Sequence, residues 1–280
     1  MLGKIFNIFA PSKAAPEPSL PAGERVYAIG DIHGRLDLFE ALLSRIEADE
    51  ATRPAARTTI VLLGDLIDRG PHSAQVIARA RQLARDRTVE ILSGNHEEMF
   101  LTCLTDAQAM PSFLKFGGLE TFQSYGLDMD ALLERPVEEL QAHIAARLPV
   151  EDLDFVRSFK KLVRIGDYVF VHAGLRPGVP LAMQLLSDCR WIREPFLSHS
   201  GAFEGFVVHG HTITQEPDLR SNRLGIDTGA YLHGCLTAIG IEGTNRWFLS
   251  AREEANDSGT QEASPTTAQA NTAGTPAQVA

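Results

Sequence analysis

The sequence predicts an α/β protein in which a parallel sheet presents polar loops at the carboxyl ends of its strands. The sequence predicts strands at residues 26–29, 58–63 and 89–92, and each ends at a loop that contains glycine. Apolar residues at helical spacing follow the first two loops, over 36–46 and 73–84. This repetition of strand, loop and helix is typical of βαβ units, which collect functional groups at one edge of a sheet.

The first loop reads Gly30-Asp31-Ile32-His33-Gly34. Asp31 and His33 are two residues apart, so their side chains point the same way if this stretch is extended. Taken alone, Asp31 is equally compatible with a helix cap.

The second loop, Gly64-Asp65-Leu66-Ile67-Asp68-Arg69-Gly70, combines two carboxylates with an arginine. Carboxylate oxygens are ligands for divalent cations, and the guanidinium group grips phosphate through paired hydrogen bonds. A metal ligand and a phosphate clamp in one loop indicate phosphoryl chemistry.

Three later strand ends carry further candidates. The loop at 93–97 contains Asn95 and His96, and a predicted hairpin over 163–171 leads into His172. An apolar run at 206–208 leads into His209 and His211. Further strands are predicted at 224–226, 236–241 and 247–249, so the second half is expected to be mostly β, with antiparallel connections.

The pattern divides the chain into a disordered leader and linker at 1–24, a catalytic domain at 25–250 and a disordered tail at 251–280. Within the domain, residues from about 99 to 160 have a helical period interrupted by glycine and proline. We expect a helical insert there, forming one wall of an active-site cleft.

Composition excludes several classes of function. The net charge is −10 without any basic run, so nucleic-acid binding is not expected. The three cysteines are far apart and form no CxxC pair, which favours a reducing, cytoplasmic location over a disulfide framework. No stretch approaches the roughly 20 apolar residues of a membrane span, so stable membrane association is not expected.

The polar strand ends together suggest a metal site. Each Asp, Asn or His has an ordinary structural explanation by itself, but the same feature recurs at five strand ends. The mixed ligand set suits manganese, iron or zinc. Six or seven ligands exceed the needs of one tetrahedral ion and suit two ions about 3.5–4 Å apart that share a carboxylate.

The motifs GDIHG, GDLIDRG, GNHE, VHAG and HGHT, in this order, resemble the metallophosphoesterase superfamily. More narrowly, they are similar to bacterial serine/threonine phosphatases of the phosphoprotein-phosphatase type, the type that includes the bacteriophage lambda enzyme. The resemblance spans about residues 25–249 and implies a four-layer α-β-β-α sandwich with two divalent ions, manganese being the expected metal.

The resemblance also implies a division of the ligands. Asp31 and His33 would hold the first ion, Asp65 would bridge, and Asn95, His172 and His211 would hold the second. It leaves open whether His209 contributes.

Our mechanistic hypothesis is in-line attack on phosphorus by a hydroxide formed from water shared between the two ions. Arg69 would clamp the phosphate, with Arg193 as the second clamp and Arg176 as its reserve. His96 would protonate the leaving group, and Asp68 would orient His96 and raise its pKa.

The sequence is compatible with three functions. We expect a serine/threonine phosphoprotein phosphatase, because Asp68 occupies a place where symmetrical diadenosine tetraphosphate hydrolases typically lack an acid. The alternative is such a symmetrical hydrolase or another nucleoside polyphosphate hydrolase. A metal-binding scaffold without catalysis is the third. The expected partner is accordingly a phosphorylated protein or a small phosphoester.

Overall fold

A computed structural model describes residues 17–253, which contain two five-stranded sheets. The strands are β1 (Glu24–Ile29), β2 (Arg57–Leu62), β3 (Val89–Ile91), β4 (Leu162–Ile165), β5 (Tyr168–Val171), β6 (Phe206–His209), β7 (Asp218–Leu219), β8 (Arg223–Gly225), β9 (Cys235–Glu242) and β10 (Asn245–Arg252). The first sheet has the order β10-β9-β1-β2-β3, and the second has the order β4-β5-β6-β8-β7. No helix in the described part of the chain is long and apolar enough to cross a membrane.

Ten α-helices occur in the described residues. They are α1 (Leu36–Ala51), α2 (Ser73–Asp86), α3 (Asn95–Cys103), α4 (Met110–Phe113), α5 (Leu119–Ser124), α6 (Met129–Leu132), α7 (Val137–Ala145), α8 (Val150–Arg157), α9 (Leu186–Trp191) and α10 (Ala230–His233). The expected helical insert is therefore confirmed, as a series of short helices.

Three apolar cores separate four layers. The core between the sheets contains residues of both, such as Val26 and Val61 from one sheet and Phe170 and Val208 from the other. A larger core joins the outer face of the first sheet to α1, α2 and the insert. A third joins the outer face of the second sheet to the segment around α9. This arrangement confirms the expected α-β-β-α sandwich.

The second sheet differs from the antiparallel arrangement that the sequence analysis expected. β5 pairs with β6 and β6 pairs with β8 in parallel, while β4 and β7 run antiparallel at the edges. Long crossovers connect the parallel strands, as parallel pairing requires. Both sheets therefore present carboxyl strand ends on the same side of the molecule.

The folded region also begins before residue 25. Leu20 is buried, and its backbone N–H donates to the Gly243 carbonyl oxygen at 3.0 Å. This contact covers an apolar side chain that a disordered leader would expose. At the other end, β10 continues to Arg252; residues 1–16 of the expected leader and 254–280 of the expected tail lie outside the described residues.

Candidate metal centre

The polar residues after the strands converge in one buried cluster between the two sheets. The six residues predicted as metal ligands are at most 8% exposed. They are Asp31, His33, Asp65, Asn95, His172 and His211. The fold therefore collects side chains from five separate loops at one edge.

Asp65 occupies the centre of this cluster. Its Oδ2 atom lies 3.7 Å from His33 Nε2 and 3.4 Å from His172 Nε2. Two overlapping sets of side chains, each with ligand atoms within 4.8 Å of one another, are close enough to hold a metal ion. They are His33, Asp65 and His96 on one side, and Asp65, His172 and His211 on the other. Asp65 is the member that both sets share.

The two remaining predicted ligands lie beside these sets. Asn95 Oδ1 is 3.1 Å from His172 Nε2, which places it with the second set. Asp31 belongs to neither set, but its Oδ2 atom accepts a hydrogen bond from the His211 backbone N–H at 2.9 Å. The sequence prediction also omitted His96 from the candidate ligands, although its Nε2 lies 4.0 Å from Asp65 Oδ2.

Unpaired buried atoms indicate that the cluster is built for a cation. Asp31 Oδ1 and His211 Nε2 are buried and have no hydrogen-bond partner among residues 17–253. Such atoms are costly to bury unless another group satisfies them. Oxygen and imidazole nitrogen atoms of this kind are the donors that manganese, iron and zinc accept, so the residues present fit a divalent metal.

Glycines let the backbone approach these carboxylates. A Cβ atom on Gly94 would lie 2.0 Å from Asp65 Oδ1, and one on Gly210 would lie 2.0 Å from Asp31 Oδ1. Both distances are far below van der Waals contact, so any larger residue would displace the carboxylate.

Backbone strain is concentrated in the same loops. Among the described residues, five non-glycine residues have positive φ: His33, Asp65, Asp68, Arg69 and His211. Left-handed conformations of side-chain-bearing residues persist only where surrounding contacts enforce them, and they cluster at functional sites. All five were singled out from the sequence for chemistry.

Glu97 holds the loop after β2, which contains Asp65, in place. This fully buried carboxylate accepts backbone hydrogen bonds from Asp65 at 3.0 Å, Leu66 at 2.7 Å and Gly94 at 2.8 Å. It therefore ties the loop after β2 to the start of α3. The sequence analysis gave Glu97 no separate role, although its place in GNHE was visible.

A buried carboxylate–imidazole pair lies beside the cluster. His96 Nδ1 is 2.7 Å from Asp68 Oδ2, and Thr121 Oγ1 donates to Asp68 Oδ1 at 2.6 Å. Thr121 comes from α5 of the insert, and the sequence analysis did not identify it. Burial opposes the charged form of His96, but Asp65 and Asp68 raise its pKa above the ordinary value.

The carboxylates also change the charge state of the imidazoles. Burial disfavours protonated His172, yet Asp65 and Asp31 raise its pKa to about 10. Burial raises the pKa of Asp65, but His172 and His96 bring it well below the usual range. Burial, reinforced by His172, lowers the pKa of His211 to about 3. Ionised Asp65 and neutral His211 are thus ready to accept a positive ion.

A cleft of about 430 Å³ opens over this cluster. Its walls are His33, Asp65, Arg69, Asn95, His96, Met99, Phe116, Trp191, Arg193, His211, Thr212, Ile213 and Tyr231. Met99 and Phe116 come from the region of the helical insert, which therefore forms one wall of the cleft. Tyr231 comes from α10, and the sequence analysis missed it because nothing near it resembles a metal motif.

The three candidate arginines have different surroundings. The Arg69 guanidinium lies 4.4 Å from the centre of the Tyr231 ring, and its Nη1 is 3.1 Å from His33 Nε2. Arg193 is exposed at the cleft wall. Arg176 is engaged elsewhere, because it makes two hydrogen bonds to Asp188 at 2.8 and 2.6 Å.

Two further residues lie at the margin of the cluster. Burial lowers the pKa of His209 to about 4, and its ring packs edge-on against Phe196 rather than lining the cleft. Burial raises the pKa of Asp31, and the negative charge of Asp227, a buried residue that the sequence analysis did not single out, raises it further.

Comparison with known proteins identifies a family for most of the chain. The family model described as Calcineurin-like phosphoesterase matches residues 24–228. This range includes every residue predicted as a ligand, an acid or a phosphate clamp.

Curated relatives carry names from one substrate class. The asymmetrical bis(5'-nucleosyl)-tetraphosphatase PrpE of Anoxybacillus flavithermus is 25% identical over 236 residues, covering 75% of this chain and 88% of that protein. The symmetrical bis(5'-nucleosyl)-tetraphosphatase of Acidovorax ebreus is 30% identical over 186 residues, covering 65% of this chain and 51% of that protein.

Solved structures share the fold. A protein provisionally named as a diadenosine tetraphosphatase has a TM-score of 0.59 at 20% identity, covering 82% of this chain and 94% of that one. A cold-active protein tyrosine phosphatase has a TM-score of 0.53 at 20% identity, covering 84% of this chain and 81% of that one. At this level of identity, the likeness concerns architecture and not substrate.

Proposed function

Because the chain belongs to the calcineurin-like phosphoesterase family and is a metal-dependent phosphoesterase, we propose that it hydrolyses dinucleoside polyphosphates such as diadenosine tetraphosphate. The proposal differs from the sequence analysis, which predicted a phosphoprotein phosphatase and gave a dinucleoside or nucleoside polyphosphate hydrolase as the alternative. The names of the curated relatives support the change.

We assign two ions to the cluster. Asp31, His33 and Asp65 would hold one, and Asp65, Asn95, His172 and His211 would hold the other. When bound, such ions supply Lewis acidity that activates water and draws charge from phosphoryl oxygens. Glu97 keeps the shared carboxylate in place through its three backbone hydrogen bonds.

The observation that carries the proposal is the composition of the cleft. One space of about 430 Å³ joins the Asp and His cluster to two arginines and to three aromatic side chains, Phe116, Trp191 and Tyr231. Arginines suit a chain of phosphates, and aromatic faces suit the bases at its ends. A free phosphate ion or a single phosphoserine needs only the first of these features.

Arg69 is the better defined clamp. Its guanidinium is held over the Tyr231 ring next to His33, so it is oriented before a substrate arrives. Cation–π contact fixes the plane of the group and leaves its outer N–H groups free for phosphoryl oxygens. Arg193, which also lines the cleft, would neutralise a second phosphate.

Phosphomonoester hydrolysis of a phosphoprotein is the second candidate, and the His96–Asp68 pair favours it. An alkoxide leaving group is strongly basic and needs a proton, whereas a nucleotide phosphate leaves without much assistance. The 2.7 Å contact orients His96 as a proton donor for such a group.

Parallel assays separate the two candidates. The purified chain is loaded with manganese, iron or zinc and given diadenosine tetraphosphate or a phosphoserine peptide, with Asp65→Asn as the inactive control. We expect a higher kcat/KM on the dinucleotide, and chromatography of the nucleotides shows whether the cleavage is symmetrical. Efficient release of phosphate from the peptide without dinucleotide cleavage would replace the first proposal by the second.

A further inference from the structure

A second pocket of about 290 Å³ adjoins the cleft over the metal centre. Trp191 and Met99 line both spaces, so the pocket continues the cleft instead of standing apart from it. Its other walls are Glu98, Thr102, Ala109, Ser112 and Phe113. Neither the sequence motifs nor the chemistry of the metal centre uses this space.

Trp191 presents a fixed aromatic face to the pocket. The side chain is 42% exposed, whereas tryptophan side chains are highly buried on average. Its Nε1–H donates to Glu98 Oε2 at 2.6 Å, so the ring is oriented in advance. Phe113 is fully buried on the side of the insert and adds an apolar wall.

The charges in the two spaces are opposite. The cleft has Arg69 and Arg193, whereas the described residues that line the pocket include one carboxylate, Glu98, and no lysine or arginine. Arg190 Nη1 lies 3.4 Å from Glu98 Oε1 and helps to hold that carboxylate. A phosphate would be repelled by Glu98, but an uncharged ring that carries an amino group would find an acceptor.

We propose that this pocket binds the nucleobase of a nucleotide whose phosphates lie in the cleft, namely a purine with an exocyclic amino group. The base stacks on the Trp191 indole, and its amino group donates to Glu98, whose oxygens have lone pairs to spare. The inference rests on the proposed function, since it supplies the base subsite that a dinucleoside polyphosphate requires.

Tryptophan fluorescence tests the subsite directly. The chain has only two tryptophans, and Trp247 lies on β10, hydrogen-bonded to Asp49. In metal-free protein, ATP and a methylene-bridged diadenosine tetraphosphate analogue are expected to quench the emission, whereas inorganic tripolyphosphate is not. The Trp191→Phe variant retains only Trp247 and is expected to lose the response.

Steady-state kinetics provide the second readout. Trp191→Ala should raise the KM for diadenosine tetraphosphate about tenfold, the effect of removing one base–aromatic stack. The ratio of kcat/KM on diadenosine tetraphosphate to kcat/KM on 4-nitrophenyl phosphate, which has no nucleoside, should therefore fall. Trp191→Phe should recover most of the loss, and Phe248→Ala, which removes an exposed aromatic residue on β10, is the matched control.

The outcomes distinguish the subsite from the function. Suppose that the dinucleotide is cleaved, but that Trp191→Ala lowers kcat/KM equally on the dinucleotide and on 4-nitrophenyl phosphate, or lowers it on neither. The subsite is then wrong, and the proposed function stands. If the dinucleotide is not cleaved, the fluorescence titration still decides: quenching by ATP supports the subsite, and its absence rejects it. A KM increase confined to a phosphopeptide would show that the pocket holds a peptide side chain instead, which also rejects the proposal.

Discussion

His96 Nδ1 lies 2.7 Å from Asp68 Oδ2 on the buried floor of the cleft. Thr121 completes this arrangement. Its Oγ1 atom donates to Asp68 Oδ1 at 2.6 Å and accepts from the Asp68 backbone N–H at 3.0 Å. The pair thus connects the loop after β2, the start of α3 and the helical insert, and it orients the imidazole whose Nε2 is turned towards Asp65.

The Asp68→Asn variant tests the assignment of His96 as a proton donor. We expect hydrolysis of an alkyl phosphomonoester to fall about 100-fold or more, since general acid catalysis contributes that much for a basic leaving group. Hydrolysis of diadenosine tetraphosphate should fall by less than about tenfold, because a phosphate leaving group needs little protonation. Equal losses of kcat/KM on both substrates would contradict the role of the pair.

Replacing the shared carboxylate should remove both metal ions. Asp65→Asn keeps the shape of the side chain but removes the charge on which both sets of ligands depend. We expect elemental analysis after dialysis to find well under one ion per chain, with the far-ultraviolet circular dichroism spectrum unchanged. Asp37→Asn, at an exposed position, is the control. Normal binding of two ions by Asp65→Asn would refute the bridging assignment.

Gly210→Ala should affect only one ion. The new Cβ atom would lie 2.0 Å from Asp31 Oδ1 and would push that carboxylate away, whereas Asp65 and His172 are not displaced directly. We expect the metal content to fall to about one ion per chain. A variant that still binds two ions would indicate that Asp31 is not required for metal binding.

Glu97→Ala should destabilise the protein even when metal is absent. The substitution leaves three buried backbone N–H groups without acceptors, each worth about 1–3 kcal/mol. In urea titrations with a chelator present, we expect the free energy of unfolding to fall by about 3 kcal/mol or more. Glu40→Ala, which removes a surface ion pair with Arg79, should change it by under about 1 kcal/mol. A similar small effect at Glu97 would show that water replaces the carboxylate.

Asp49 offers a test of pH dependence away from the metal centre. It accepts hydrogen bonds from Arg53, Tyr27 and Trp247, and the bond from Arg53 is the main reason that its pKa is lowered. Its stabilisation is therefore complete above the unfolded-state pKa of about 3.9 and is lost as the pH falls through the lower folded-state value. Asp49→Asn should cost about 1–2 kcal/mol at pH 7 and much less near pH 3. A difference that does not change with pH would mean that the charge of Asp49 is not what stabilises the fold.

The sequence was most informative where a strand ends in a polar loop. This one feature identified five of the candidate ligands, and the family resemblance then favoured His211 over His209. The structure brings all six together: Asp31, His33, Asp65, Asn95, His172 and His211. The feature works because the fold aligns the carboxyl ends of its parallel strands at one edge. It was less informative about pairing, since a short apolar strand looks the same in a parallel and an antiparallel sheet.

Residues that act through contacts from distant segments could not be found in this way. Thr121, Tyr231 and Asp227 lie outside any motif, and their positions depend on how the insert, α10 and the loop after β8 pack around the centre. Trp191 was visible beside Arg193, but only the structure shows that it lines two adjoining spaces.

The sequence by itself determined the family chemistry: an ordered series of ligand-bearing loops, each attached to a buried strand. Its periodicity and glycine pattern are local properties, so they can be interpreted without knowledge of the fold. Only the tertiary structure decided which of the three candidate arginines line the cleft, which side chains surround the His96–Asp68 pair and what lines the space beside the cleft. These depend on distances between residues far apart in the chain, and packing between the two sheets and the helical insert sets those distances.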